Sequence, residues 1–403
     1  MNEQASRPRG GAGRRVILAG AVVAVGLAVV LLGPMASGGP RLPAAVLAPV
    51  APLEVPPSAS WQAVAAPPLA PRYGSVTGWV GGRLLLLGGH DGAPCPLQAG
   101  EECTLPPALR DGALYDPVAD RWDRLPDLPV GVSVRGEEPA SLASSILGRV
   151  AVSAGDTVHL FDTDSTLGWR AVPSPGDDAG LVWLPGEADR LAALLPCADE
   201  AGCPARLLRL DEAGGVWLPY GGGLGFDLPA GELSLVGVPE LRSAAFSVAR
   251  PGQDRLWVAW ADLDPDPDDE VRPVVAAKTP VPVGAAGPFK LDTRVFGWAE
   301  PGGSTLWVWD SETDVWQELR APEGGFRWWQ DGAEFSGPAD TADGVLLAGS
   351  RYDRARGGWK DLDGPPSGLR DPVVVTTWLS CFGFDPATRQ YAAGCLAVDP
   401  AAR

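Results

Sequence analysis

The chain contains 403 residues, and its 52 Gly and 42 Pro place a residue that interrupts regular structure at about one position in four. This density excludes most helical architectures, whereas 45% apolar residues and 16 Trp exclude a disordered chain, since so much apolar surface must be buried. Because 50 acidic and 32 basic residues give a net charge of -18, the chain repels phosphate backbones, and we expect no nucleic-acid partner. Short strands between frequent turns fit this composition.

The N-terminus has the pattern of a membrane-targeting segment. Residues 1–15 are polar and contain four Arg, and residues 16–33 contain no charged side chain. This apolar stretch has the minimum length for a spanning helix, and the preceding Arg predict that residues 1–15 stay in the cytoplasm. A signal segment cleaved after the apolar stretch is the alternative. The sequence therefore predicts a single-pass membrane protein with its folded domain outside the cytoplasm, or a secreted protein.

A change of composition separates this segment from the folded domain. Residues 34–60 are rich in Pro and Ala and hold few charges, which is typical of an extended, semi-rigid linker. We therefore expect the folded domain over residues 61–400.

The six Cys form three close pairs in the sequence. Their spacings match no common zinc site, and in an exported chain they are expected to form local disulfides worth about 2–3 kcal/mol each in the chain-entropy model. The third pair is expected to link neighbouring strands of one hairpin. The pairs are Cys95 with Cys103, Cys197 with Cys203, and Cys381 with Cys395.

One pattern recurs six times in the folded domain. An apolar residue and an Asp are followed, six or seven positions after the Asp, by an aromatic residue. We interpret each copy as a β-hairpin in which the Asp caps the turn and the aromatic residue begins the return strand. The copies begin at Tyr115, Phe161, Leu210, Trp309, Tyr352 and Phe384, and their aromatic residues are Trp122, Trp169, Trp217, Trp316, Trp359 and Tyr391.

The first copy is preceded by an apolar run that ends in Gly88-Gly89. Together with Tyr115 and Trp122, this double glycine resembles the kelch repeat. The resemblance spans residues 60–400 and is degenerate after the first copy. It implies an all-β fold, a kelch-like β-propeller whose repeats are four-stranded blades, preceded by one transmembrane or signal helix. A kelch period of about 50 residues predicts seven blades, with six as the alternative.

Two parts of the ring carry no complete repeat. The wide interval between Trp217 and Trp316 is expected to hold one degenerate blade over residues 240–285. Residues 61–64 resemble an isolated return strand, and we expect this strand to complete the last blade, residues 371–398. This pairing would close the ring and leave only short sheet edges.

Loops that join the second and third strands of propeller blades lie at one end of the ring. Cys95–Cys103 and Cys197–Cys203 occupy this position in the first and third blades, so they are expected to stiffen a binding face. Ordinary stabilisation of long loops is the alternative. Most Trp are expected to pack between blades, but Trp328 and Trp329 depart from the repeat and are candidates for ligand contact.

An acidic run lies in the degenerate blade. Alternating carboxylates can ligate Ca²⁺, although the usual loop has Gly at its sixth position, where this chain has Asp269. A solvated acidic loop is the alternative, and with the expected blade boundaries this loop shares the face of the two disulfide loops. The candidate ligands are Asp264, Asp266, Asp268 and Glu270.

Enzymes with related propeller folds require residues that this chain does not offer in a suitable pattern. Copper oxidases of the galactose oxidase type need two His ligands, and the two His present, His90 and His159, are unsuited to one copper site. We therefore expect no catalytic residue and no cofactor. The predicted function is the binding of an extracellular protein or glycan. The alternatives are a carbohydrate-active enzyme similar to sugar epimerases or mutarotases, and a structural envelope protein.

Overall fold

The computed structural model describes residues 50–52 and, with gaps, residues 61–398; the longest gaps are residues 93–104, 264–273, 321–338 and 362–371. After residue 320, the side chains of Cys381 and Cys395 alone are described. The chain divides into the units Met1–Ala44 and Ala45–Arg403. The predicted cytoplasmic segment and the predicted helix at residues 16–33 lie outside the described residues. Within the described part, the chain forms no helix of sufficient length and hydropathy to cross a membrane.

The described regular structure consists of β-strands. Strands β1 (Val50–Pro52) and β2 (Trp61–Val64) come first in the chain. Five stretches that follow each form a four-stranded antiparallel sheet whose strands are hydrogen-bonded in chain order. We number these sheets 1 to 5.

Sheet 1 contains β3 (Val76–Val80), β4 (Arg83–Leu87), β5 (Gly112–Asp116) and β6 (Arg121–Arg124). Sheet 2 contains β7 (Ser141–Ser144), β8 (Arg149–Ala154), β9 (Thr157–Asp162) and β10 (Arg170–Pro173). Sheet 3 contains β11 (Gly180–Leu184), β12 (Arg190–Leu195), β14 (Arg206–Asp211) and β15 (Val216–Pro219), while β13 (Cys203–Pro204) pairs with β16 (Asp227–Leu228). Sheet 4 contains β17 (Glu232–Val238), β18 (Ser243–Ala249), β19 (Trp257–Asp262) and β20 (Val274–Val275). Sheet 5 contains β21 (Ala286–Asp292), β22 (Val295–Ala299), β23 (Thr305–Asp310) and β24 (Val315–Arg320).

These five sheets are arranged as a β-propeller. The first strand of each sheet contacts the first strand of the next, from β3 to β7, β11, β17 and β21, so the first strands are innermost. The contact is close, because a Cβ atom on Gly78 would collide with the side chain of Leu142. Apolar clusters fill the space between neighbouring sheets. The core of the domain is therefore divided among the interfaces between sheets.

Strand β4 shows why this sequence forms a propeller blade. Its four consecutive Leu are all buried, because alternate side chains of a strand point to opposite faces and both faces are covered. Leu85 and Leu87 pack in the cluster between sheets 1 and 2. Leu84 and Leu86 pack on the opposite side against Cys381 and Cys395 near the C-terminus.

Two further sheets follow sheet 5. One is four-stranded and contains β25 (Ala339–Thr341), β26 (Gly344–Leu347), β27 (Ser350–Asp353) and β28 (Gly358–Asp361). The other contains β29 (Pro372–Val375), β30 (Leu379–Asp385), β31 (Gln390–Ala393) and β32 (Cys395–Val398), together with β1 and β2.

The last sheet joins the two ends of the folded chain. Strand β2 pairs antiparallel with β32, Trp61 opposite Val398 and Val64 opposite Cys395. The predicted pairing of residues 61–64 with the last repeat is therefore confirmed. In addition, β1 pairs in parallel with β31, so the segment predicted to be a linker contributes a strand to this sheet.

The recurring Asp caps a turn, as the sequence pattern predicts. Asp116 Oδ1 accepts hydrogen bonds from the N–H groups of Val118 (2.9 Å) and Ala119 (3.1 Å). Asp120, which has a left-handed backbone with φ 45°, then accepts a hydrogen bond from the Tyr115 hydroxyl. Equivalent turn caps occur at Asp162, Asp211 and Asp310.

In sheets 1 to 3 the recurring Trp forms a hydrogen bond to the sheet before it or to the chain beside that sheet. Trp169 Nε1 donates to the carbonyl of Pro126, and Trp217 Nε1 donates to the carbonyl of Pro173, both at 2.8 Å. Trp122 Nε1 donates to the carbonyl of Ala65, directly after β2, at 2.7 Å. These three Trp therefore pack between sheets, as predicted.

Candidate functional site

The strand order gives every sheet two distinct ends. In an antiparallel sheet with strands in chain order, the connection of strands two and three lies at the same end as the link to the next sheet. We call this the connection end. The hairpins that join strands one and two, and strands three and four, lie at the opposite end, which we call the hairpin end.

The connection end of sheet 3 is held by a disulfide bond and by strand pairing. Cys197 and Cys203, in the connection of β12 to β14, form a disulfide with Cα atoms 5.7 Å apart. Strand β13, which contains Cys203, pairs with β16 in the link to sheet 4, and Cys197 forms a bridge with Ala230. The prediction that Cys197 and Cys203 are bonded between the second and third strands is confirmed. The loop is thereby fixed to the link beside it.

In sheet 1 an ion pair with a buried arginine fixes the same end. The Arg72 side chain is 1% exposed, and its two terminal nitrogens bind the Asp111 carboxylate at 2.6 and 3.0 Å. Burial alone raises the pKa of Asp111, but the hydrogen bonds and the charge of Arg72 outweigh burial and hold that pKa below its usual value. Removing Asp111 would leave the buried charge of Arg72 without its partner, which is destabilising. The segment entering sheet 1 is therefore anchored to the start of β5.

The double glycine of the first repeat also lies at this end. Gly88 and Gly89 have φ values of 63° and 91°, in the left-handed region that favours glycine. A Cβ atom on Gly88 would collide with the carbonyl of Val132, and the Gly89 N–H donates to that carbonyl at 2.7 Å. The two glycines thus allow the β4–β5 connection to lie directly against the link from sheet 1 to sheet 2.

His90 follows the glycines and is 4% exposed. Its Nδ1 lies 2.7 Å from the carbonyl of Pro106, so Nδ1 is protonated and donates this hydrogen bond. Its Nε2 is buried and has no hydrogen-bond partner among the described residues. Arg72 is paired with Asp111, whereas none of the described ion pairs includes His90.

In two other sheets, backbone hydrogen bonds also join the connection of strands two and three to the link that leads to the next sheet. In sheet 4 the Leu256 N–H donates to the Val281 carbonyl at 3.0 Å, and the Val283 N–H donates to the Asp254 carbonyl at 3.1 Å. In sheet 2 the Ser174 N–H donates to the Asp156 carbonyl at 2.8 Å. Four of the five sheets therefore present a connection end whose backbone is fixed by hydrogen bonds, which lowers the ordering cost of binding there.

The other predicted site residues divide into two groups. Cys381 and Cys395 form a disulfide between paired residues of β30 and β32, as predicted. The remaining candidates lie outside the described residues, and their roles stay predictions. They are Cys95, Cys103, Trp328, Trp329 and the potential calcium ligands Asp264, Asp266, Asp268 and Glu270.

The boundaries of sheet 4 differ from those of the predicted blade. Sheet 4 begins at Glu232 and ends at Val275, whereas the sequence predicted a blade over residues 240–285. Residues 264–273 consequently follow the third strand, and the flanking residues Asp262 and Val274 belong to the hairpin end. The acidic run itself lies outside the described residues, and the expectation that it shares an end with the Cys197–Cys203 loop depended on the predicted blade boundaries. The fourth strand, only two residues long, lacks the aromatic residue that marks it in other sheets.

The Asp at the end of each third strand is a regular feature of the hairpin end that the sequence pattern identifies only in part. All five third strands in sheets 1 to 5 end in Asp, as do β27 and β30, and the sequence pattern missed one member, Asp262, because no aromatic residue follows it at the usual spacing. The residues are Asp116, Asp162, Asp211, Asp262, Asp310, Asp353 and Asp385.

Ion pairs cross between sheets at the hairpin end. Glu212, in the turn after β14, binds Arg149 of sheet 2 at 2.5 Å and Arg170 of sheet 2 at 3.1 Å. The Arg149 guanidinium also lies 4.5 Å from the centre of the Trp183 ring. These contacts fix the turn of sheet 3 to sheet 2.

The described donor groups are dispersed. Within the described residues, no three or more His, Cys, Asp or Glu side chains are placed to share a metal ion. His159 lies within β9 of sheet 2 and is 2% exposed, whereas His90 follows β4 of sheet 1. Comparison of the chain with protein-family models and with curated proteins finds no match.

Proposed function

We propose that this chain is a non-catalytic binding module, a kelch-like β-propeller outside the cytoplasm that engages a protein or a glycan through its connection end. The observation that carries the proposal is the sheet 3 connection, which is fixed both by the Cys197–Cys203 disulfide and by the pairing of β13 with β16. A surface that is rigid before binding loses little entropy on binding. The Arg72–Asp111 pair extends the same rigidity to sheet 1.

The proposed location rests on the disulfides. Such bonds persist in oxidising compartments and are rare in the cytosol. Together with the apolar residues 16–33 after an Arg-rich N-terminus, they support a module tethered to the outer face of a membrane, or secreted if that segment is cleaved.

We further propose a ring of seven blades. The four-stranded sheet β25–β28 and the sheet in which β2 joins β29, β30 and β32 support blades six and seven. The kelch-like character is supported by Gly88 and Gly89, whose conformations suit glycine and whose neighbours leave no room for a side chain. An experimental structure with six blades would contradict the count.

The binding function is tested by proximity crosslinking with the full-length chain on intact cells of the source organism. Asp227→Arg reverses an exposed charge on β16 at the connection end, and Glu312→Arg reverses an exposed charge at the hairpin end as the matched control. We expect Asp227→Arg to lose neighbours that the wild type and Glu312→Arg both capture. Identical sets of neighbours from all three proteins would refute the proposed face, and a glycan array then separates sugar from protein ligands.

A further inference from the structure

The two described disulfides lie in different surroundings. Cys381 and Cys395 are both 0% exposed and pack in the apolar cluster between the last sheet and sheet 1. A thiolate must leave water to reach these sulfur atoms, and the burial of its charge is costly. In the other disulfide Cys197 is 5% exposed, but Cys203 is partly exposed to solvent. A reductant in solution can therefore approach this bond from the side of Cys203.

The Cys197–Cys203 bond supports two contacts between the sheet 3 connection and the link to sheet 4. Cys203 pairs with Leu228, and Cys197 forms a bridge with Ala230. Strand β13 has only two residues, and one of them, Pro204, has no N–H group to donate. The strand pairing therefore offers few hydrogen bonds of its own. Without the disulfide, the connection should lose its fixed position on the link.

Reduction of this bond should leave the rest of sheet 3 folded. Strands β12 and β14 pair as far as Leu195 and Arg206, which lie outside the loop that the disulfide closes. A reduced Cys197 remains a small apolar side chain in the buried cluster that surrounds it, because the thiol is neutral. The effect of reduction is thus confined to the connection end.

We propose that Cys203 is a site of thiol–disulfide exchange, through which a dithiol reductant controls partner binding at the connection end. This role rests on the binding function proposed above and adds its regulation. When the bond is closed, the connection is ordered before binding. When the bond is open, the connection must be ordered on binding, which costs entropy. The connection end therefore holds its partner in the oxidised state and releases it in the reduced state.

The exchange has two steps. A thiolate of the reductant attacks the Cys203 sulfur and forms a mixed disulfide, while the Cys197 sulfur leaves as a thiolate and takes up a proton. The second thiolate of the reductant then attacks the reductant's sulfur in the mixed disulfide and displaces the Cys203 thiolate, which also takes up a proton. Two electrons pass to the chain, and the reductant becomes an intramolecular disulfide.

The chemical step is tested with dithiothreitol on the folded full-length chain in detergent. An alkylating reagent stops the reaction at several dithiothreitol concentrations, and mass spectrometry identifies the alkylated Cys. We expect Cys197 and Cys203 to react at concentrations about 10-fold lower than Cys381 and Cys395 require, while Trp fluorescence stays that of the folded domain. Equal sensitivity of the two bonds, or reduction only after unfolding, would overturn the proposal.

The effect on binding is measured by proximity crosslinking on intact cells, with and without dithiothreitol. We expect reduction to lower the capture of neighbours by the wild type about 10-fold, and reoxidation to restore it. The matched control is Cys197→Ala, Cys203→Ala, in which the connection is permanently open, so its capture should be low in both conditions. Wild-type capture that reduction does not change, or a loss on reduction in the control, would contradict a role for Cys203.

The Asp227→Arg variant separates this role from the binding function on which it rests. If Asp227→Arg captures the same neighbours as the wild type and Glu312→Arg, the proposed face is wrong, and its regulation is wrong with it. If Asp227→Arg loses neighbours but reduction of the wild type loses none, the connection end binds a partner and exchange at Cys203 does not control it.

Discussion

Arg72 and His159 are both buried, yet their surroundings differ. The charge of Arg72 is matched by Asp111 at 2.6 Å, and its Nε donates to the carbonyl of Ala70 at 2.9 Å. His159 has no hydrogen-bond partner for either ring nitrogen among the described residues. It lies opposite Val152 and Ala171 in sheet 2. The charge of Arg72 is therefore compensated by a neighbouring carboxylate, whereas burial favours the neutral form of His159.

His159 should make the domain less stable in mild acid. Burial lowers the pKa of His159 in the folded state below the unfolded value of about 6.5. As the pH falls below that unfolded value, the unfolded chain takes up the proton first, so the free energy of unfolding decreases until the folded pKa is reached. Urea unfolding of the wild type should therefore lose stability between pH 7 and 5, by up to roughly 1 kcal/mol per pH unit.

The matched variant is His159→Leu, which has no proton to accept. We expect it to retain more of its pH 7 stability at pH 5 than the wild type does. The lowered pKa of Asp111 acts in a separate range, since its contribution is lost only as the pH falls below about 4. Parallel stability curves for the two proteins from pH 7 to 5 would show that His159 is not responsible.

At the scale of elements, the hairpin of strands three and four is the unit that the sequence predicts best. Its features are local: Asp116 caps a turn within three residues, and Trp122 stands a fixed distance along the return strand. The hydrogen bonds and ion pairs at the connection end join residues far apart in the chain, such as Arg72 and Asp111. No periodic sequence pattern indicates them. The sheet 4 boundaries were misplaced because β20 is short and has no aromatic residue.

The Trp links between sheets give a second prediction. Trp122 Nε1 donates to the Ala65 carbonyl, whereas Trp316 Nε1, at the same repeat position, is buried without a partner among the described residues. Trp122→Phe and Trp316→Phe both remove packing, but only the first removes a hydrogen bond. We expect the loss in free energy of unfolding to be about 1 kcal/mol greater for Trp122→Phe, measured in urea. Equal losses would mean that packing alone accounts for both residues.

At the scale of the whole molecule, the N-terminal strands complete the last sheet. Strand β2 covers the edge of β32, and the cluster of Leu84, Leu86, Cys381 and Cys395 packs this sheet against sheet 1. The joining of the chain ends was predictable, because Trp61 matches the repeat without a preceding hairpin. The parallel pairing of β1 with β31 was not, since three residues within a Pro-rich segment carry no strand pattern.

Removal of β1 and β2 together should therefore open the domain. A chain that begins at residue 65 leaves the edge of β32 unpaired. It keeps Ala65, but β2 no longer holds the Ala65 carbonyl in position to accept the hydrogen bond from Trp122. We expect a lower thermal unfolding midpoint and concentration-dependent association by size-exclusion chromatography. A chain that begins at residue 45 retains β1 and β2 and serves as the control. Indistinguishable unfolding midpoints for the two chains would contradict a structural role for β2.

The pairing of β2 with β32 also sets an order of events during synthesis. Hydrogen bonds within sheets 1 to 5 join strands that are close in sequence, so these sheets can form while the chain is still being made. Residue 64 emerges from the ribosome long before its partner, residue 395, exists. The entropy lost in joining such distant residues grows only with the logarithm of their separation. The pairing of β2 with β32 is therefore late but not strongly unfavourable. Strand β2 must therefore remain unpaired until β32 has been synthesised.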